Sequence, residues 1–315
     1  MLHVLGALAL AAVVLFLLNV IVRRRTVIPG GKAVLITGCD HGFGCMLAEA
    51  LDILGYRVFA GCLNAAGDGA KELKQKTSSN LVIVQLDVTS DVQVAEARAT
   101  VERSLDGCCM WAVINNAGIA AFAETEWCSL DAYQNMMDVN WMGTVRVTKT
   151  FLPLVRAARG RIINVVSLAG RIALPGFTSY SSSKFALIGF SDSLRREMIK
   201  FGVKVITIEP TLYRTALSDC DALTRQNERM WNMASEEVRH DYGETYFRSF
   251  LTKLKYVPAI LPAKPERSCG RSCALGHLCV PLHPLRARPL QRSAAFRYLC
   301  FDAESFRRLR ADYAA

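Results

Sequence analysis

The stretch SYSSSKFA, residues 179–186, sets Tyr180 and Lys184 four positions apart. On a helix that spacing brings both side chains to one face, a single turn apart. A phenol ordinarily ionises near pH 10 (about), too high for an efficient base at neutral pH, and a nearby ammonium favours its ionised form. The pair is therefore a candidate proton relay, with Tyr180 as acid/base and Lys184 as the cation that tunes it. Nine tyrosines and eleven lysines in 315 residues also suffice to produce this spacing by chance on a solvated helix face. Spacing alone does not separate the two readings.

The elements that must position such a pair are legible as alternating patterns. The runs KAVLITG, YRVFAG, LVIVQLDV, WAVINNAG, GRIINVVS and VKVITIEP are rich in valine and isoleucine and predict buried strands. Between them lie helical stretches: GCMLAEALDILG, residues 66–76, DVQVAEARATVERSL, a long run over 130–156, and SKFALIGFSDSLRREMIKF. Strand and helix alternating at this pitch predict an α/β fold, a doubly wound parallel sheet in a single domain spanning 26–263. No internal repeat or low-complexity tract interrupts it.

Open sheets of this kind bind ligands at the carboxyl ends of their strands. The first strand runs into TGCDHGFG, which sets Gly38, Gly42 and Gly44, with Asp40 and Phe43, at a strand-to-helix turn. Glycines there allow a sharp bend and close approach to a pyrophosphate, and the following helix N-terminus favours the anion; a tight turn without a ligand is the rival reading. The third strand ends at Asp87, either an acceptor for an adenine amino group or a helix-start aspartate. The fourth ends in NNAG, with Asn116 in a turn of small residues that admits a flat ring, and the fifth ends in Ser167.

The bulk properties narrow the function classes. Of the net charge of +10, residues 1–25 contribute +3 and residues 264–315 contribute +6, leaving about +1 for the body of the chain. A nucleic-acid partner, which needs a basic face on the folded domain, is not supported. The eleven cysteines are scattered through apolar segments and odd in number, the pattern of free thiols rather than a disulfide framework. Cys269, Cys273, His277, Cys279 and His283 form a cluster whose spacings fit no common zinc finger or ribbon; no metal is expected. Residues 2–22 carry no charge, and as a helix they would span about 30 Å, the thickness of bilayer hydrocarbon. They predict a transmembrane helix within an anchor over 1–25. Arg23, Arg24 and Arg25 follow directly and place the next domain on the cytosolic side.

TGCDHGFG, LDVT, NNAG, Asn140 in DVNWMG, Ser167 and YSSSK, in this order and spacing, resemble the short-chain dehydrogenase/reductase superfamily over residues 31–262. GKAVLITGCDHGFG, VFAGCLN, GTVRVTKTFLP, FSDSLRRE and FGVKV are similar to the branch that contains 17-beta-hydroxysteroid dehydrogenase type 2, microsomal retinol dehydrogenases and D-beta-hydroxybutyrate dehydrogenase. The resemblance implies a Rossmann-type fold and a catalytic set of Asn140, Ser167, Tyr180 and Lys184. Tyr180 would move the hydroxyl proton while hydride goes to a nicotinamide, Ser167 would hold the reacting oxygen, and Lys184 would bond the nicotinamide ribose. Asn140 would hold a water that links the lysine to solvent, although a helix-to-helix hydrogen bond also accounts for it. The implied cofactor-binding residues are Gly38, Asp40, Gly42, Phe43, Gly44, Asp87, Asn116, Lys184 and Thr215. The loop GCLNAAGD has no basic residue before Lys71, and Asp40 would repel a 2′-phosphate, so NAD is expected over NADP.

Three departures stand out. Pro210 is followed by Thr211 where the family commonly has glycine, and His41 replaces a more usual serine. The segment over 228–247 would belong to a substrate lid near 212–262. From about Arg267 the chain becomes rich in arginine, cysteine and proline without periodicity, as a shifted reading frame or misassigned exon would produce. The implied activity is NAD-dependent oxidation of a lipophilic secondary or allylic alcohol, a steroid 17-beta-hydroxyl or retinol. Such substrates concentrate in the bilayer that an anchored enzyme in the endoplasmic reticulum would share. A 3-hydroxybutyrate-type dehydrogenase, which would want a cationic clamp for the carboxylate, and a non-catalytic nucleotide-binding member are the alternatives. The resemblance also implies a homo-oligomer.

Overall fold

The computed structural model describes residues 28–210 and 220–260. The six apolar runs are its six strands: β1 (Lys32–Thr37), β2 (Arg57–Cys62), β3 (Leu81–Gln85), β4 (Cys109–Asn115), β5 (Arg161–Val165) and β6 (Lys204–Ile208). They form one parallel sheet in the order β3-β2-β1-β4-β5-β6. The chain winds outward from β1 through β2 to β3, then returns to β4 on the other side of β1. That reversal opens a crevice at the carboxyl ends of β1 and β4.

Helices cover both faces, which is why the strands are apolar throughout and not alternating. Ala33 and Leu35 of β1 pack with Phe151 and Val155 of α5 (Thr144–Ala157) and with Leu194 of α6 (Thr178–Met198). Their neighbours Val34 and Ile36 point the other way, to Ala48 and Leu51 of α1 (Gly42–Ile53) and Leu73 of α2 (Asp68–Lys76). Serine caps start two further helices: Ser90 accepts from Gln93 N at α3 (Asp91–Arg103), and Ser129 accepts from Ala132 N at α4 (Leu130–Met137).

Two elements differ from the sequence reading. The run over 130–156 is not one regular helix, because a π-helical turn, Asp138–Gly143, separates α4 from α5. Gly143 lets this turn press against the loop after β3, where a Cβ would lie 2.7 Å from Val88 Cγ2. Helix α6 begins at Thr178, ahead of the apolar periodicity, so Tyr180 sits in its first turn. Ser179, Ser181, Ser183 and Lys184 are buried, so this stretch is not a solvated helix face.

The last two helices among the described residues, α7 (Cys220–Met233) and α8 (Glu236–Ile260), gather around Trp127. The Trp127 ring meets Trp231 at 5.3 Å, Tyr242 at 5.0 Å and Phe250 at 5.3 Å between centroids, each edge to face. Helix α8 kinks at Gly243, whose φ of 74° and ψ of 150° only glycine adopts readily. These helices lie where the sequence placed a lid. The anchor over 1–25, Thr211, Thr215 and the tail over 264–315 with its Cys/His cluster lie outside the described residues. Among the described residues no helix is long and apolar enough to cross a membrane, and no group of side chains could hold a metal ion.

Between the sheet and its covering helices runs a buried polar chain. Asn115 Nδ2 donates to Asn164 Oδ1 (2.8 Å) and Thr148 Oγ1 (3.0 Å), and Asn164 Nδ2 donates to Ser191 Oγ (2.8 Å). It ties β4 and β5 to α5 and α6 beneath the crevice. Asn164→Ala removes the middle link and strips Ser191 Oγ of its donor, so urea denaturation should show a loss of about 2 kcal/mol. Unchanged stability would mean the chain is not under tension to remain paired.

Candidate active site

The crevice is a cavity of about 440 Å³ lined by residues from the ends of β1, β3, β4 and β5 and from α6. Its floor depends on Thr37, the last residue of β1. Thr37 Oγ1 accepts from Asn116 N (3.0 Å) and Ala117 N (2.9 Å), while Asn116 Nδ2 donates to Thr37 O (2.9 Å) and Gly38 O (3.1 Å). The ends of β1 and β4 are thus clamped together beyond their ladder.

The glycine turn packs on this clamp. Gly38 and Gly42 adopt φ of 71° and 66°. A Cβ on Gly44 would stand 2.2 Å from Gly38 O and 2.6 Å from Asn116 Nδ2, so this position excludes any side chain. His41 provides no side-chain cap for α1, and the positive end of that helix faces the loop. Phe43 lines the same cavity. These features fit a dinucleotide pyrophosphate: a backbone cradle that a Cβ would fill, set at a helix N-terminus.

Asp40 leaves the turn sideways. Its carboxylate accepts from Leu63 N (2.9 Å) and Asn64 N (3.0 Å) in the loop after β2. A carboxylate therefore stands against the loop that follows β2. Asp87 lies two residues past β3 and accepts from Thr89 N (2.8 Å) and Thr89 Oγ1 (2.7 Å). Because Ser90 caps α3, the helix-start reading of Asp87 falls away. Both aspartates line the cavity.

At the other end of the cavity Ser167, Tyr180 and Lys184 come together. Ser167 follows β5, accepts from Ala169 N (3.1 Å) and stands near the Tyr180 hydroxyl. Lys184, one turn along α6, is buried; its Nζ donates to Val165 O (3.2 Å) and lies 5.6 Å from the Tyr180 ring centroid. Asn140 sits behind them, fully buried in the π turn. Its Oδ1 accepts from Ile119 N (2.8 Å), and its Nδ2 donates to Ile119 O (3.0 Å) and Ser183 Oγ (3.0 Å). The Asn140 side chain thus makes the helix-to-helix hydrogen bond and holds the 118–119 turn beside the lysine.

The electrostatics correct one expectation. Burial pushes the Tyr180 phenol above its ordinary value, and its neighbour Ser167 opposes that rise only in part. Burial alone lowers Lys184 to about 8. The dry surroundings that would strengthen attraction between the two groups first penalise each charge separately. Thr37, Ser183 and the Val165 carbonyl escaped the sequence reading, since each acts only across elements distant in the chain. The TG preceding the cysteine and aspartate was the sole hint of Thr37.

Comparison with known proteins agrees with this geometry. The short chain dehydrogenase family profile matches residues 32–225. Retinol dehydrogenase 7 of Mus musculus is 43% identical over 224 residues, covering 71% of this chain and 70% of the relative. The mitochondrial D-beta-hydroxybutyrate dehydrogenase of Mus musculus is 43% identical over 233 residues, covering 71% and 67%. A crystal structure of a short chain dehydrogenase from Burkholderia cenocepacia in complex with NADP superposes with a TM-score of 0.53. It is 32% identical and covers 59% of this chain and 74% of its own.

The Lys184 shift has a signature in stability. Its value falls from 10.5 to about 8 on folding, so between those pH values the unfolded chain holds a proton that the folded chain has lost. The cost of burying the ammonium is full below pH 8 (about) and relieved as pH rises toward the unfolded value. Relative to Lys184→Met without cofactor, wild-type unfolding free energy should rise across that window by up to about 3 kcal/mol. A flat difference between the two proteins across it would contradict the burial argument.

Proposed function

Because the chain belongs to the short-chain dehydrogenase family, we propose that it oxidises a lipophilic secondary or allylic alcohol, a retinoid or steroid hydroxyl, with NAD. The observation that carries this reading is the meeting of Ser167, Tyr180 and Lys184 against an apolar wall. Tyr180 packs edge to face on Phe122 at 5.6 Å, within a cluster that includes Phe177, Leu223, Phe250 and Leu254. Among the described residues lining the cavity there is no arginine, and the only ammonium is that of Lys184. A hydroxy acid would find no separate cation for its carboxylate there, whereas an apolar alcohol finds a matching surface.

A nicotinamide dinucleotide held by the glycine turn and Asn116 would supply the hydride acceptor for the carbinol carbon. Ser167 holds the reacting oxygen and steadies its charge as the carbonyl forms. Tyr180 takes the hydroxyl proton, and its rise on burial means that it needs a cation to do so. Lys184, fixed by Val165 O, supplies that charge in concert with a positive ring beside it. Asn140 keeps the 118–119 turn and α6 in register behind the lysine. The Asp40 carboxylate, held on the loop after β2, opposes a 2′-phosphate and favours NAD over NADP. The uncharged run over 2–22, followed by Arg23, Arg24 and Arg25, supports a membrane anchor and placement in the endoplasmic reticulum facing the cytosol, and the family resemblance supports a homo-oligomer.

Assays with retinol, estradiol and 3-hydroxybutyrate and both dinucleotides test the substrate and cofactor together. Tyr180→Phe should lower turnover about 1000-fold while leaving the Kd for NAD within about twofold. A mutant that keeps its rate would remove Tyr180 from the proton path. Asp40→Ala should raise the ratio of kcat/KM with NADP to that with NAD about tenfold, and an unchanged ratio would exclude Asp40 as the discriminator.

A further inference from the structure

Resting on the dinucleotide reading above, the geometry points to Gln85 and Gln93 as positioning residues that set the width of the adenosine half of the cleft. The β2–β3 ladder ends at the pair Cys62 and Gln85. Beyond it Leu86 N still donates to Cys62 O (2.8 Å), but the two walls of the cleft, Leu63 on one side and residues 87–89 on the other, have no backbone hydrogen bond between them. The Gln85 side chain replaces the missing rungs. Its Oε1 accepts from Ala65 N (2.9 Å) and its Nε2 donates to Leu63 O (2.7 Å).

The same Nε2 also donates to Gln93 Oε1 (3.2 Å), which in turn accepts from Asp87 N (2.9 Å). Two amides therefore bridge the loop after β2 to the loop that presents Asp87. Asp40 holds the N–H groups of Leu63 and Asn64 from the opposite side. The side chains of Asp40 and Gln85 thus fasten the loop over 63–65 to its neighbours, while Gly67 N donates to Asn64 O (2.9 Å) within the same connection. Neither glutamine lines the cavity, so their effect on a nucleotide passes through the loops they hold. A loop left unfastened would have to be ordered at the moment of binding, which weakens the complex without touching the reacting atoms.

The test uses the full chain with ADP-ribose, which carries the adenosine half and no nicotinamide. Gln85→Ala and Gln93→Ala should each weaken ADP-ribose binding by calorimetry, and raise the KM for NAD, about tenfold for Gln85 and less for Gln93. At saturating NAD, kcat and the KM for the alcohol should stay within about twofold. The double variant should lose less than the product of the single losses, because both break one bridge. Since Gln93 lies on the outer helix α3, its variant keeps the test open even if Gln85→Ala folds poorly. Wild-type affinity for ADP-ribose in both single variants, or a parallel fall in kcat and alcohol KM, would overturn the bridge. A wild-type protein that binds neither ADP-ribose nor NAD would overturn the nucleotide reading itself, a result separate from the behaviour of the variants.

Discussion

The clamp between Thr37 and Asn116 is the constraint on which the site is built. A parallel sheet that reverses its winding leaves β1 and β4 side by side with their following segments diverging, and backbone pairing stops where the crevice begins. Four hydrogen bonds, made by Thr37 and Gly38 with Asn116 and Ala117, carry the contact past that point. With the strand ends held, the glycine turn can close on them to a distance that leaves no room for a side chain at Gly44. A looser junction would open this turn and misplace the start of α1, and with it the favourable end of the helix for an anion.

Burial governs the chemistry at the other end of the cleft. Tyr180 and Lys184 are both disfavoured in their charged forms by the same apolar surroundings. Burial therefore favours a protonated phenol and a weakly held proton on the amine. The apolar wall of Phe122, Phe177 and Phe250, against which Tyr180 packs, is part of those surroundings. The aromatic packing of α7 and α8 on Trp127 supports that wall from behind.

The amide side chains share a common task. Asn115 and Asn164 link the central strands to the helices, Asn140 links the π turn to α6, and Asn116 links two strand ends. Each satisfies backbone or side-chain groups that burial would otherwise leave unpaired. Because amides are neutral, they can do this in the interior without the desolvation cost of an ion pair.

From the chain alone one could read the six strands, the helices between them, the glycine turn and the order of Asn140, Ser167, Tyr180 and Lys184. These follow from periodicities of two and 3.6 residues and from short motifs, and both are local properties. Only the folded molecule decided that Asp40 reaches the loop after β2, that Asn140 is occupied by Ile119 and Ser183, and that Lys184 is brought down to about 8. It also decided the π turn before Gly143 and the early start of α6 at Thr178. The reason is physical: solvent exclusion and hydrogen bonds between residues twenty to eighty positions apart arise from packing between elements, which no local spacing encodes.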